Sequence, residues 1–141
     1  MPRKPNLRPT DSELAILRVL WQRGPSTVRQ VQAELEQQEP TGYTTVLKLL
    51  QIMTDKGLVE RDEAQRAHVY RTRDSEEATQ RHLIGDLLDR AFDGSAAKLV
   101  MQALSTRPAS THEMAKIRQL LDRMDGDDPS PADDRSTGDE R

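Results

Sequence analysis

The segment TGYTTVLKLLQIMTDKG, residues 41–57, decides the fold of this chain. Thr41 is predicted to be the N-cap of a helix, because a threonine hydroxyl accepts a hydrogen bond from an unpaired amide of the first turn. Gly57 is predicted to end the helix in the left-handed conformation that glycine adopts readily. The apolar residues between them share one helical face: Val46, Leu49, Leu50 and Met53. The segment is therefore predicted to form one amphipathic helix.

The opposite face of this helix is polar. It carries Thr44, Lys48, Gln51 and Asp55, with Thr45 on its flank. Short hydroxyls, a lysine and a glutamine can contact the base edges and phosphates of DNA. A solvated face without a partner is the alternative for a helix taken alone, and the neighbouring segments favour DNA binding.

Two shorter helices are predicted before this one. Residues 10–13, TDSE, have the pattern of a capping box, in which two side chains bond each other's backbone amides. Gly24-Pro25 ends this first helix. Residues 27–30, TVRQ, form a second capping box that opens a helix over about residues 27–37, and residues 39–42 are predicted to be a turn. This order of elements matches a helix-turn-helix.

A short β-hairpin is predicted after Gly57. The segments LVERDE (58–63) and HVYRTRD (68–74) contain β-branched or aromatic residues and are joined by residues 64–67. Residues 10–74 are therefore predicted to form a winged helix-turn-helix domain, and the fold class is mainly α with a small β-hairpin. Arg66 at the hairpin tip, with His68 beside it, is predicted to reach the sugar-phosphate backbone. A solvent-facing strand residue is the alternative for His68.

Three amphipathic helices are predicted over residues 75–124, separated by breaks at residues 93–95 and 107–109. Three short helices bury too little apolar surface to be stable alone, so we predict a helical dimerisation domain that pairs with a second copy. Packing of these stripes within one chain is the alternative. The residues predicted to form the homodimer interface are Leu83, Ile84, Leu87, Leu88, Phe92, Leu99, Val100, Ile117 and Leu121.

The two ends of the chain differ from its middle in composition. Residues 1–9 contain three prolines and three basic residues and are predicted to be a flexible basic arm, which either contacts phosphates or is a frayed terminus. Residues 125–141 are predicted to be a disordered acidic tail, because they contain no aliphatic or aromatic residue beyond Ala132. The net charge of −3 originates in this tail, since residues 1–74 carry 12 Lys and Arg against 10 Asp and Glu. The acidic balance therefore does not argue against a nucleic-acid partner.

Composition and motifs exclude several classes of function. The absence of cysteine excludes disulfides, thiolate metal sites and cysteine catalysis. Without a long apolar run or a secretory signal, we expect a cytoplasmic protein with no membrane partner. There is no catalytic or phosphate-loop motif, and His68, His82 and His112 are scattered along the chain. We therefore expect no enzyme activity, no metal and no cofactor.

Four motifs give the chain a family resemblance: TDSELAILRVLW, GPSTVRQV, YTTVLKLLQIMTDKGLVERD and HVYR. Over about residues 10–124 the chain resembles the penicillinase-repressor family, which includes the methicillin-resistance and copper-responsive repressors. The resemblance implies a bacterial transcriptional repressor that binds dyad-symmetric operators in double-stranded DNA as a homodimer. In the best-known members a membrane sensor triggers cleavage of the repressor. The paired cysteines of the copper-responsive members are missing here, which excludes their mode of sensing.

The resemblance also implies a position for a cleavage bond. In the β-lactam-responsive members an Asn-Phe bond is severed after a G-S-x-x-x-L-V run, which is residues 94–100 here, so the bond corresponds to Gln102–Ala103. Glutamine is longer than asparagine, and alanine lacks an aromatic side chain for a protease pocket. We therefore expect that cleavage specific for Asn-Phe does not release this protein, and that another protease or a ligand acts on the dimer domain.

Two other functions stay open from the sequence. A winged helix can serve as a protein-interaction module without DNA binding, but such a module should show apolar anchors at residues 44, 45 and 48, which are polar. The chain can also be a regulator that responds to a small ligand bound between its C-terminal helices.

Overall fold

The computed structural model describes residues 8–64 and 66–127, which divide into two compact units, one up to Ala91 and the other from Phe92. The elements of the first unit are α1 (Asp11–Arg23), β1 (Ser26–Thr27), α2 (Val28–Glu36), α3 (Tyr43–Lys56), β2 (Val59–Asp62), β3 (Val69–Thr72) and α4 (Glu76–Ala91). The second unit contains α5 (Ala96–Thr106) and α6 (Thr111–Asp127). The predicted class, mainly α with a winged helix-turn-helix, is confirmed.

The structure describes only part of the predicted N-terminal arm and of the predicted C-terminal tail. Residues 1–7 of the predicted arm and residues 128–141 of the predicted tail lie outside the described residues. Arg8, the described arginine of the arm, forms an ion pair with Asp86 of α4. α4 belongs to the first compact unit. The assignment of residues 75–124 to a dimerisation domain stays a prediction.

The predicted helix boundaries are mostly set by the predicted caps. In α1 the Thr10 Oγ1 accepts from the Glu13 backbone N–H at 3.2 Å, and the Glu13 carboxylate accepts from the Thr10 N–H at 3.0 Å. The second capping box, at Thr27 and Gln30, forms in the same way at the start of α2. Gly57 ends α3 in the left-handed conformation, with φ at 84°. These three predictions are confirmed.

The predicted N-cap of α3 is wrong. Gly42 is the N-cap, and its lack of a side chain leaves the first turn without a side-chain hydrogen bond. The Thr41 hydroxyl instead donates to the Glu39 carbonyl at 2.9 Å, inside the turn before the helix. Because this bond directs the hydroxyl into the turn and Gly42 takes the N-cap position, α3 begins one residue later than the sequence pattern indicates.

The core of the first unit fixes the orientation of α3. Val46, Leu50 and Met53 are fully buried, and Leu49 is half-buried, so one side of α3 faces the core. Core partners come from α1, α2 and the sheet: Ile16, Leu17, Leu20, Val31, Val59 and Tyr70. Because one side of α3 is buried in this way, its polar side is left on the surface.

The sheet has three antiparallel strands in the order β1-β3-β2. β2 and β3 form the predicted hairpin, with Arg61 opposite Tyr70. β1 was not predicted, and it pairs Ser26 with Tyr70 on the other edge of β3. A strand of two residues is too short to show the alternation of apolar and polar residues that marks strands in sequence.

A buried ion pair connects the beginning of α1 to the end of α3. The Lys56 ammonium donates to Glu13 Oε1 at 2.6 Å, and the Glu13 side chain is 3% exposed while that of Lys56 is 22% exposed. The same Glu13 oxygen accepts from the Thr10 backbone N–H. Glu13 therefore both caps α1 and holds the last turn of the polar-faced helix.

Removal of this carboxylate is expected to destabilise the first unit. Glu13→Ala deletes the cap bond and leaves Lys56 partly buried without its partner, so we expect a loss of about 2–4 kcal/mol in the free energy of unfolding. The matched control is Glu34→Ala, which removes only the exposed ion pair with Arg23 and should cost less than about 1 kcal/mol. Urea denaturation measures both, and equal losses would contradict this role of Glu13.

The predicted dimerisation stripes are only partly covered within one chain. Thr79 is the buried residue of α4, and no residue of α5 is buried. Half-buried members of the predicted interface are Leu83, Leu88, Phe92, Leu99 and Ile117, and exposed ones are Ile84, Leu87, Val100 and Leu121. Considerable apolar surface is therefore available on these helices.

None of the helices in the described ranges has both the length and the apolar character needed to span a membrane.

Candidate nucleic-acid interface

The polar face of α3 is fully on the surface. Thr44, Thr45, Lys48 and Gln51 are all exposed, because the residues between them turn toward the core. Within residues 8–64 and 66–127, no carboxylate forms an ion pair with Lys48. The face therefore presents two hydroxyls, an amide and an ammonium group without an ion-pair partner, and the Asp55 carboxylate lies on the same face toward the end of α3.

The hairpin tip presents a second positive group. Arg66 and His68 are both exposed, while Gln65 between the strands lies outside the described residues. The other arginines of the hairpin and its end are paired with glutamates: Arg61 with Glu63 at 2.8 Å, and Arg71 and Arg73 with Glu60 at 3.3 and 3.5 Å. Hydrogen bonds with Tyr70 and Glu63 raise the pKa of Arg61. No such pair involves Arg66 within the described part of the chain, so its charge is available at the tip.

A groove separates the hairpin tip from the beginnings of α2 and α3. Three sets of residues line the groove. They are Thr27, Val28 and Arg29 from β1 and the start of α2, Tyr43 and Leu47 from α3, and Arg66, Ala67, His68 and Tyr70 from the hairpin. The groove thus brings together the predicted residues Arg66 and His68. Thr45 borders a different cleft, which also contains Asp11 and Glu39.

Two residues of this groove were missed by the sequence analysis. The Arg29 guanidinium carbon lies 5.1 Å from the centroid of the Tyr43 ring, which is a cation–π distance. In the sequence Arg29 is an interior residue of a capping box and Tyr43 begins a helix, and they are brought together by the turn between α2 and α3. The only local signal is that both residues lie near the starts of the two helices of a helix-turn-helix.

The described ranges contain no candidate metal-binding cluster. No group of three or more His, Asp or Glu residues there could hold a metal ion. His68, His82 and His112 lie on the hairpin side, on α4 and on α6, respectively.

Gln102–Ala103, the bond that the resemblance implies as the cleavage position, lies inside a helix. Gln102 and Ala103 are both exposed residues of α5, and the Gln102 carbonyl accepts from the Thr106 hydroxyl at 2.8 Å. A protease would have to unwind this part of α5 to bind the bond, since exposed loops are the usual sites of cleavage.

Three helices, a hairpin at their side and an exposed polar third helix define the winged helix-turn-helix class. The family model described as Penicillinase repressor matches residues 9–123. Two curated relatives, both called Transcriptional regulator BlaI and from two strains of Mycobacterium tuberculosis, are each 31% identical over 113 residues, which are 79% of this chain and 82% of theirs. The chain belongs to the penicillinase repressor family.

One solved structure is also similar to part of the chain. It is described as the solution structure of the DNA binding domain of the repressor BlaI. The match has a TM-score of 0.46 and 24% sequence identity, and it covers 54% of this chain and 90% of that chain.

Proposed function

We propose that this protein is a transcriptional repressor that binds double-stranded DNA in a sequence-specific manner as a homodimer on a dyad-symmetric operator. The observation that carries this proposal is the exposed polar face of α3, on which Lys48 forms no ion pair with a described carboxylate, beside a hairpin tip that presents Arg66. Membership of the penicillinase repressor family and the regulator names of the relatives support the same function.

In this proposal α3 enters the major groove of DNA. Its hydroxyls at Thr44 and Thr45 and the ammonium of Lys48 lie near bases and phosphates, with Gln51 one turn further along. Arg66 contacts the sugar-phosphate backbone from the hairpin, and His68 beside it is a second candidate for that contact. The alternative of a protein-interaction module is disfavoured because the centre of the α3 face has no apolar anchor. Exposed apolar side chains occur only beside that centre, at Tyr43 and Ile52, among the residues described for α3.

The exposed apolar side chains of α4, α5 and α6 support the homodimer in this proposal. Leu87, Val100 and Leu121 are 45%, 45% and 56% exposed, so burial against a second copy would remove substantial apolar surface from water. Two copies related by a twofold axis would read two half-sites about one turn of DNA apart, or a multiple of it. In the alternative of a ligand-responsive regulator, a small ligand would bind between the C-terminal helices. That alternative concerns how repression is relieved.

The experiment that tests the proposed function is a genome-wide map of the protein on its own chromosome, obtained by crosslinking and immunoprecipitation. We expect a small number of discrete sites that share one dyad-symmetric sequence. Uniform background across the chromosome would contradict the proposal.

We propose that repression is relieved by a protease other than the Asn-Phe-specific one, or by a ligand. Either would act on the dimerisation helices after a sensor responds. In cells treated with a β-lactam, an immunoblot should show the full-length protein and no fragment ending at Gln102. The matched control is the variant Gln102→Asn with Ala103→Phe, which recreates the family's bond and reports whether the specific protease is active in those cells. A discrete fragment ending at Gln102 in the unmodified protein would show that the proposal is wrong.

A further inference from the structure

The cation–π contact between Arg29 and Tyr43 joins the two helices of the helix-turn-helix. Arg29 is the second residue of α2 and Tyr43 is the first residue of α3. Both side chains are exposed, Tyr43 to 40%, so burial in the protein core does not explain their association. The contact instead limits the directions that the flexible Arg29 side chain can take.

The groove that contains this contact concentrates positive charge. Arg29 borders it from α2 and Arg66 borders it from the hairpin, and none of its described lining residues is acidic. Neither arginine forms an ion pair with a described carboxylate. The first turn of α2 also borders the groove, and the start of a helix carries partial positive charge. The ligand that matches this chemistry is an anion.

The position of the groove indicates which anion it receives. If α3 lies in the major groove of DNA, the helix before it crosses the sugar-phosphate backbone, and this places the start of α2 beside a strand. A backbone phosphate in the groove would then lie between Arg29 and Arg66. Arginine suits this role because its planar guanidinium can donate two parallel hydrogen bonds to one phosphate.

We propose that the groove between α2, α3 and the hairpin tip binds a DNA backbone phosphate, that Arg29 donates to this phosphate, and that Tyr43 is a positioning residue that holds Arg29. The inference rests on the proposed function and adds a contact from α2 to those of α3 and Arg66. The Tyr43 ring contributes by restricting the guanidinium before DNA arrives, so less freedom is lost on binding.

The test is a set of binding titrations with full-length protein, using a fluorescent duplex of a mapped chromosomal site and a random duplex at several salt concentrations. Arg29→Gln should weaken binding to both duplexes alike, and the slope of log affinity against log salt should fall by about 0.9 for each phosphate that the variant no longer neutralises. The matched control is Arg18→Gln, which removes an exposed charge from α1 and should leave the slope unchanged.

Variants of Tyr43 separate a positioning role from direct contact. Tyr43→Leu should weaken binding about two- to fivefold, the value of an exposed cation–π contact. Tyr43→Phe, which retains the ring, should bind as tightly as the unmodified protein. In the Arg29→Gln background, Tyr43→Leu should have no further effect, because the ring acts through the arginine.

Three results would overturn this inference. If Arg29→Gln leaves affinity and salt slope unchanged, the groove does not bind a phosphate through Arg29. If Tyr43→Leu weakens binding equally with and without Arg29, the tyrosine acts independently of it. If the unmodified protein binds no duplex, the proposed function fails and the inference fails with it, whereas either of the first two results leaves the proposed function intact.

Discussion

Replacement of Leu87 and Leu88 together by aspartate is expected to dissociate the dimer and to lower operator affinity by a factor of about 10²–10⁴. Leu87 is 45% exposed on α4 and Leu88 is half-buried, so both are available to a second copy. Two carboxylates buried in that interface would lose hydration without gaining partners. Monomers would then bind each half-site separately, and the gain from simultaneous binding of two half-sites would disappear.

Sedimentation velocity and operator titration measure the two parts of this prediction. The matched control is His112→Asp with Gln119→Asp, which adds two carboxylates on the polar side of α6 and should leave the protein dimeric. The dimer prediction would be wrong if the unmodified protein sedimented as a monomer at micromolar concentration. If the Leu87 and Leu88 variant remained a dimer, the placement of these two residues in the interface would be wrong.

Lys48→Ala is expected to cause the second largest effect on operator binding. If Lys48 contacts a base, operator binding should weaken by roughly 1–3 kcal/mol while binding to random duplex changes less. If Lys48 contacts only a phosphate, both affinities should fall alike and the salt slope should drop by about one. The two outcomes assign the residue either to sequence reading or to backbone contact.

The control for this prediction is Lys98→Ala, which removes an exposed lysine from α5 and should leave DNA binding unchanged. Circular dichroism of both variants checks that the helices are retained. Unchanged affinity of Lys48→Ala for operator and for random DNA would show that α3 is not the reading element.

The features that the sequence predicted well are those that depend on neighbours within a few residues. The capping box of Thr10 and Glu13 forms because its groups lie within one helical turn. The left-handed end of α3 depends on a single residue, Gly57. The apolar face of α3 could also be predicted, since its period alone identifies the residues that must be buried. Thr41 shows the limit of such local rules, because its hydroxyl donates to a carbonyl of the preceding turn and Gly42 takes the N-cap position.

The features that the sequence did not predict depend on residues distant in the chain. β1 exists only because Ser26 lies opposite Tyr70, and the buried pair of Glu13 and Lys56 forms only when α1 and α3 meet. The contact of Arg29 with Tyr43 depends in the same way on the turn between α2 and α3. For the candidate interface, the sequence therefore identified the exposed residues of α3 and the hairpin but missed the side chains that the fold adds beside them.

The measurement that tests the central claim most directly is the ratio of dissociation constants for two duplexes at one salt concentration. One duplex carries a site from the chromosomal map, and the other carries the same bases in scrambled order. For a sequence-specific repressor we predict that the mapped site binds at least about 10³-fold more tightly. A ratio near one for every mapped site would contradict the claim that this protein reads DNA sequence.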